Sequence, residues 1–184
     1  SSSLLAALYN GTLGYVLDMN DVDKRAVLHA GPTIIPAALA VSNSGSTHKF
    51  LDAIVIGYEA TIRIGRAVGP GHYAYWHNTA TCGPFGAAVA ACHLLKGSDP
   101  VSALGLAGTQ AAGLWQTRHE PDSMAKQLHA GHAAHAGVLA AMLSAQGFQG
   151  PRTILEGEQG FFAAMCPGAD PEDVLVNPDA GWLI

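Results

Sequence analysis

The chain has 184 residues, of which 49% are hydrophobic and 12% are charged. This hydrophobic fraction excludes a disordered chain, and the length fits one domain with a buried core. The net charge of −5 at pH 7 excludes the basic surface that nucleic-acid binding requires.

Hydrophobic residues recur with the period of an α-helix along most of the chain. The pattern predicts six main helices, over 4–17, 32–42, 47–68, 79–95, 100–115 and 123–146. Asp99 and Pro100 form a helix start for the fifth, and Asp122 or Ser123 can cap the sixth. A shorter helix is expected to begin around Thr153. No segment alternates with period two for long enough to form a strand, so an all-α fold is predicted.

Glycine and alanine dominate the later predicted helices, notably in 86–91, 103–113 and 130–141. Small side chains on a contact face allow helix axes to approach closely, which predicts a multi-helical, bundle-like domain over 1–166. Residues 167–184 are rich in Pro, Asp and Gly and are predicted to form a terminal arm or linker. The charged fraction of 12% is low against about 25% in an average domain, so we expect another subunit or further chain to cover part of the surface.

Three stretches, 26–48, 67–95 and 127–151, contain no Asp, Glu, Lys or Arg. They hold His, Asn, Gln and Pro, which are costly in lipid, so no contact with a membrane is predicted. The chain lacks an initiator Met and a signal peptide, which suggests an excised or processed fragment. Its cysteines, Cys82, Cys92 and Cys166, are odd in number and follow no metal spacing. They indicate a reducing compartment, and a cytoplasmic location is expected.

Acidic residues cluster directly after the first predicted helix, at Asp18, Asp21 and Asp23, and His29 follows. Carboxylates at a helix C-terminus are disfavoured by the helix dipole. The cluster therefore either forms Asx turns or belongs to a functional site.

His77 directly precedes a predicted helix that opens with Asn78, Thr79 and Thr81. Free N–H groups at a helix start bind anions, so this segment is either an anion site or a simple helix cap.

Lys126 and His129 lie three residues apart on one face of the sixth predicted helix. Lys126 lies in a segment with few charges and needs a counter-charge, which a substrate carboxylate can supply; otherwise it is an ordinary surface lysine. His129, His132 and His135 do not share one face and have no Cys or acidic residue at usable spacing, so no metal site is predicted. The sequence also lacks the phosphate-binding, dinucleotide-binding and nucleophile-elbow motifs.

Six short segments, taken in this order, resemble the MmgE/PrpD family from about residue 5 to residue 165. They are the NGT…LD-x-N-D segment (10–21), HAG…PAALA (29–40), AIVIGYEATIRIGRAVG (53–69), H-x-T-x-T-x-G-x-FGAA (77–88), K-x-LHAG-x-AA-x-AGVLAA (126–141) and GP-x-x-ILEG-x-x-GFF (150–162). The resemblance implies a helical domain joined to an α+β lid that this chain lacks, usually in a homodimer. Val22 departs from the family pattern, which often has Thr there, and this puts the substrate in doubt more than the reaction class.

The resemblance further implies that Asp18, His29, His77 and Lys126 are catalytic. Residues expected to bind substrate are Asn20, Asp21, Thr79, Thr81 and His129. The implied activity is that of a lyase of the 2-methylcitrate dehydratase or cis-aconitate decarboxylase type, acting on a small di- or tricarboxylate by proton transfer next to a carboxylate.

Within that activity, Lys126 and His29 suit carboxylate binding and charge stabilisation, and His77 suits proton transfer. Asp18 is expected to orient a histidine or to act as the partner acid or base. No metal or organic cofactor is required. Two alternatives remain: an epimerase or isomerase of a dicarboxylate on the same scaffold, and an inactive helical binding or assembly module.

Overall fold

The computed structural model describes residues 2–43, 46–175 and 181–184. The described residues form eight α-helices and two short 3-10 helices, without a β-sheet, so the all-α prediction is confirmed. The α-helices are α1 (Ser3–Leu13), α2 (Gly31–Val41), α3 (Thr47–Ala67), α4 (Gly69–Tyr73), α5 (Asn78–Leu94), α6 (Pro100–Gly108), α7 (Ala125–Ala145) and α8 (Phe161–Met165). The 3-10 helices are Trp115–His119 and Pro171–Leu175.

Helix α5 is the centre of the domain, and nearly all of its side chains are buried. Helices α2, α3, α6 and α7 pack around it, while α1 packs against α2 and α7. Small residues make these contacts possible, as the sequence predicted. A Cβ on Gly86 of α5 would overlap Thr61 and Gly57 of α3, and a Cβ on Gly137 of α7 would overlap Ala87. Side chains any larger would push the helices apart.

Four of the six main predicted helices have nearly the expected bounds, and the other two end early. Helix α1 ends at Leu13 rather than at residue 17, because the chain turns at Gly14 and buries Tyr15 completely. Helix α6 ends at Gly108 rather than at residue 115, and Gly113 then adopts φ +130°, which lies outside the helical range.

The remaining expectations on helix ends had mixed outcomes. Asp99 caps α6 as predicted, accepting hydrogen bonds from the N–H groups of Val101 and Ser102. Met124 rather than Asp122 or Ser123 is the N-cap of α7, although the Ser123 hydroxyl accepts a hydrogen bond from Ala125. The prediction of a short helix beginning near Thr153 is wrong. The chain forms turns there, and helix α8 starts eight residues later, at Phe161.

The chain after α8 returns to α3. The Asp170 N–H donates to the Ala67 carbonyl, and the Leu183 N–H donates to the Glu59 carboxylate. The predicted division between a domain over 1–166 and an arm over 167–184 stays a prediction, and residues 176–180 of that arm lie outside the described residues. Within the described parts of the chain, none of the helices combines the length and apolar character needed to cross a bilayer.

We predict that Gly86→Ala lowers the free energy of unfolding by roughly 1–3 kcal/mol, because the added methyl group separates α5 from α3. Gly14→Ala is the matched control: its backbone is helical and the nearest neighbour of the new Cβ would be Asn10 O at 3.2 Å, a much milder contact than the overlap with Thr61 at Gly86, so its stability should fall far less. Urea unfolding measures both. Equal stabilities for the two variants would contradict the close packing of α3 and α5.

Candidate active site

A fully buried tyrosine, Tyr15, lies at the centre of the candidate site. The rings of His29 and His77 meet its ring edge-on, at centroid distances of 5.2 and 5.8 Å. The Lys126 ammonium lies 5.3 Å from the centroid of the same ring. Burial raises the pKa of Tyr15, with a further contribution from the Asp18 charge, so the hydroxyl stays protonated. One aromatic ring thus gathers residues from three distant parts of the chain.

The fourth predicted catalytic residue, Asp18, reaches this cluster through an ion pair. Its carboxylate lies 2.6 Å from Nζ of Lys126, which projects from the first turn of α7. The backbone of Asp18 is left-handed, with φ 53°, and its N–H donates to the Tyr15 carbonyl at 3.3 Å. The Lys126 and Asp18 side chains are 31% and 50% exposed, so an incoming carboxylate can reach Lys126 from solvent.

His77 is held rigidly at the N-terminus of α5. Its N–H donates to the Gly113 carbonyl at 2.9 Å, and its ring lies against that of Trp115 with centroids 4.4 Å apart. Its Nε2 lies 3.4 Å from the Tyr15 hydroxyl, and its Nδ1 lies 3.2 Å from Nδ1 of His129. Burial lowers the pKa of His77 to about 2, and the charges of His129 and Lys126 act in the same direction. His77 is therefore neutral at physiological pH.

His29 presents one free ring nitrogen. Its Nδ1 lies 2.7 Å from the Asp21 main-chain oxygen, and because that oxygen only accepts, Nδ1 carries the hydrogen. The His29 N–H donates to the Thr79 hydroxyl at 3.0 Å. Nε2 of His29 therefore carries the lone pair in the neutral ring, as a base or hydrogen-bond acceptor would require.

The side chains of Asn20 and Asp21 lie at a different cavity from the four predicted catalytic residues. The Asp21 carboxylate accepts a hydrogen bond from the Gly31 N–H at 3.2 Å and is hydrogen-bonded to Tyr58. Both residues line a cavity of about 330 Å³ whose lining contains none of the four predicted catalytic residues. Asp21 nevertheless contributes to the site, since its main-chain oxygen orients His29.

Thr81 faces a second buried histidine, His72. Its hydroxyl lies 2.8 Å from Nε2 of His72, while Nδ1 of His72 donates to the Met165 carbonyl at 2.8 Å. Burial lowers the pKa of His72, which keeps its ring neutral. The prediction that Thr81 binds substrate stays a prediction, and the structure brings Thr81 together with His72 rather than with the Tyr15 cluster.

Sequence reasoning missed Tyr15, Trp115 and His72. Tyr15 fell inside a helix predicted to continue to residue 17, and Trp115 fell at the end of another predicted helix. The histidine His72 carried a signal, since it is a polar residue inside the charge-free stretch 67–95. Among the residues that the structure describes, no group of three His, Cys, Asp or Glu is placed to hold a metal ion.

Comparison with known proteins finds a matching family model and relatives named for cis-aconitate decarboxylase. The family model described as the MmgE/PrpD N-terminal domain matches residues 1–174. The chain is 30% identical to the cis-aconitate decarboxylase-like protein oryM of Aspergillus oryzae, over 96% of this chain and 40% of that protein. It is 32% identical to a cis-aconitate decarboxylase of Aspergillus terreus, over 96% of this chain and 39% of the relative. The chain thus spans about 40% of the length of the curated relatives it matches.

The low pKa of His77 predicts acid sensitivity. Below pH 6.5 the unfolded chain protonates this histidine, whereas the folded chain does not until about pH 2, so the stability falls as the pH falls. His77 alone should contribute a slope of about 1.4 kcal/mol per pH unit below 6.5. In His77→Gln the unfolding free energy should therefore decline less steeply between pH 6 and pH 4.5. The difference in slope corresponds to about one fewer proton taken up on unfolding. Identical slopes in urea titrations of the two proteins would show that His77 is not buried as a neutral ring.

Proposed function

Because the chain belongs to the MmgE/PrpD family, we propose that its parent protein is a lyase that removes carbon dioxide or water from a small di- or tricarboxylate. The observation that carries the proposal is the convergence of Lys126, His29 and His77 on the ring of Tyr15. The two Aspergillus relatives support decarboxylation of a cis-aconitate-like acid as the first activity to test.

Substrate binding would begin with Lys126. Its ammonium is paired with Asp18 in the free site, and both groups remain partly exposed. A substrate carboxylate can take the place of Asp18, after which the charge of Lys126 stabilises negative charge that develops next to that carboxylate. His29 would contribute Nε2 to the same substrate, because its Nδ1 is already bound to Asp21.

His77 would transfer the proton, because its Nε2 lies on the side of the Tyr15 hydroxyl. Its pKa is low in the free site because burial and nearby positive charge both disfavour the imidazolium. A substrate with two or three carboxylates offsets that positive charge and raises the pKa of His77 toward the range in which it can exchange a proton. The substrate would thereby activate its own acid–base group.

Decarboxylation and dehydration would share these steps. Decarboxylation breaks a C–C bond, and the electron pair left on carbon takes up a proton. Dehydration removes a proton next to a carboxylate and expels a hydroxyl group with acid assistance. Both require charge stabilisation at Lys126 and a proton-transfer group at His77.

The proposal extends to the assembly. Large apolar side chains on α1, including Leu5, Tyr9 and Leu13, are more than half exposed. An exposed apolar face of this kind supports the expectation that protein covers it, as in the homodimer that the resemblance implied. A catalytically inactive helical module would have the same face and would differ by not binding polycarboxylates.

We predict that the full-length protein releases carbon dioxide from cis-aconitate, and that Lys126→Met lowers kcat/KM about 100-fold or more. Lys126→Arg should retain part of the activity because it keeps the charge. Lys96→Met, in the exposed turn after α5, is the matched control and should leave the rate unchanged. Carbon dioxide release measures the rate, and alkene absorbance and deuterium uptake distinguish dehydration and epimerisation.

Binding provides an independent measurement. Cis-aconitate should raise the melting temperature of the wild-type protein and of Lys96→Met by mass action, and should raise that of Lys126→Met much less. A full-length wild-type protein that neither binds nor turns over cis-aconitate or 2-methylcitrate would refute the proposed function and favour the assembly module.

A further inference from the structure

Three polar groups form a continuous line from the centre of the site toward a cavity. The Tyr15 hydroxyl lies 3.4 Å from Nε2 of His77, and Nδ1 of His77 lies 3.2 Å from Nδ1 of His129. His129 lines a cavity of about 620 Å³, whereas His77 does not. His77 is nearly inaccessible, and His129 connects it to the cavity.

The contact between the two Nδ1 atoms contains one hydrogen. Burial lowers the pKa of His77 and also that of His129, so each neutral ring carries one N–H. If His129 donates, the hydrogen of His77 lies on Nε2 and faces the site. If His77 donates, its Nε2 is free to accept a hydrogen bond from Tyr15. The two arrangements differ only in where the hydrogens lie.

Four basic groups act on this pair of histidines. Lys126, His29 and Arg118 act on His77 from their own segments, and His132 acts on His129 from the next turn of α7. All four disfavour a charged ring when they carry positive charge. A relay that keeps both imidazoles neutral between transfers suits this environment.

The cavity has the size and opening that proton exchange requires. Its volume of about 620 Å³ exceeds the roughly 30 Å³ that a water molecule occupies in the liquid. The exposed residues Glu120 and Gln116 lie on its lining, together with the apolar side chains of Trp76, Leu114 and Leu128. Water in this cavity would contact His129 and not His77.

We propose that His129 is a positioning residue that sets the hydrogen on His77 and relays protons between His77 and water in this cavity. The inference rests on the proposed lyase function, in which decarboxylation consumes one proton for each carbon dioxide released. The C–C bond breaks, its electron pair stays on the substrate carbon, and Nε2–H of His77 protonates that carbon. The Nδ1 hydrogen of His129 then passes to Nδ1 of His77, and Nε2 of His129 takes a proton from water, which leaves hydroxide in the cavity. After product release, water in the open site protonates Nε2 of His77, the shared hydrogen returns to Nδ1 of His129, and Nε2–H of His129 neutralises the hydroxide in the cavity. Both rings thereby regain their starting hydrogens, and one hydroxide per turnover passes to the solvent.

The test uses the full-length protein with cis-aconitate. His129→Ala should lower kcat about ten-fold or more while KM stays within about two-fold, because only proton supply is slowed. A several-fold rise in KM with kcat unchanged would overturn the relay in favour of the role in substrate binding that the resemblance implied for His129. Added imidazole, which fits the cavity, should restore at least part of kcat to His129→Ala. His135→Ala, six residues along α7, is the matched control and should have the wild-type kcat with no response to imidazole.

A second variant distinguishes loss of the relay from a folding defect in His129→Ala. His129→Gln keeps the volume and a hydrogen bond to His77 but cannot relay a proton, so its kcat should be low and insensitive to imidazole. A wild-type kcat in His129→Ala or His129→Gln would overturn the relay, and so would a loss of kcat in His129→Ala that imidazole does not repair.

A readout besides activity separates this proposal from the proposed function. Nitrogen-15 NMR of the wild-type protein should show one hydrogen shared between the Nδ1 atoms of His77 and His129, and both rings neutral at pH 7. Absence of the shared hydrogen overturns the relay whatever the activity. A shared hydrogen without turnover of any candidate acid refutes the proposed function and the relay together, whereas turnover unaffected by His129→Ala refutes the relay alone.

Discussion

The close approach of α5 to its neighbours is the constraint on which the rest of the structure depends. Glycine and alanine at the crossings place α5 against α3 and α7 with no room for larger side chains. This packing buries the N-terminus of α5, so His77 lies at a fixed position beneath Tyr15 and beside His129. The contact between α5 and α7 also brings the first turn of α7, and with it the Lys126 ammonium, to 5.3 Å from the centroid of the Tyr15 ring. The geometry of the candidate site therefore combines helix packing, which positions Lys126, with the connecting segments that carry Tyr15, Asp18, His29 and His77.

Burial also determines the electrostatics of the site. His77 lies in a medium that disfavours its charged form, and the neighbouring Lys126 strengthens that effect. Asp18 supplies a nearby negative charge, but it is partly exposed and bound to Lys126. The free site therefore combines one paired cation, Lys126, with the neutral imidazole of His77. Such a site gains most from a ligand that brings its own negative charges into the region beside His77.

The sequence predicted the features that depend on a long periodic pattern. Helices α2, α3, α5 and α7 follow from apolar periodicity, and the capping of α6 by Asp99 follows from local chemistry. Two helix ends were missed because burial of Tyr15 and the turn at residues 109–110 depend on tertiary contacts that no local pattern records. The convergence of Lys126 with Asp18 depends on residues 108 positions apart, and only the resemblance to a family suggested it. Tyr15 lay within a segment of the family resemblance but matched none of its motif letters, and His72 was marked only as a polar residue in a charge-free stretch, so their contacts come from the structure.

The ion pair between Asp18 and Lys126 has a consequence for selectivity among anions. Asp18 is tethered beside Lys126, so its effective concentration there exceeds that of a dilute free ligand. A monocarboxylate that displaces it exchanges one ion pair for another of equal charge and gains little. A second or third carboxylate adds attraction to Arg118, whose positive charge also acts on His77, without an equivalent loss. The tethered aspartate thus acts as a built-in competitor that discriminates ligands by valence before any contact with their carbon skeleton.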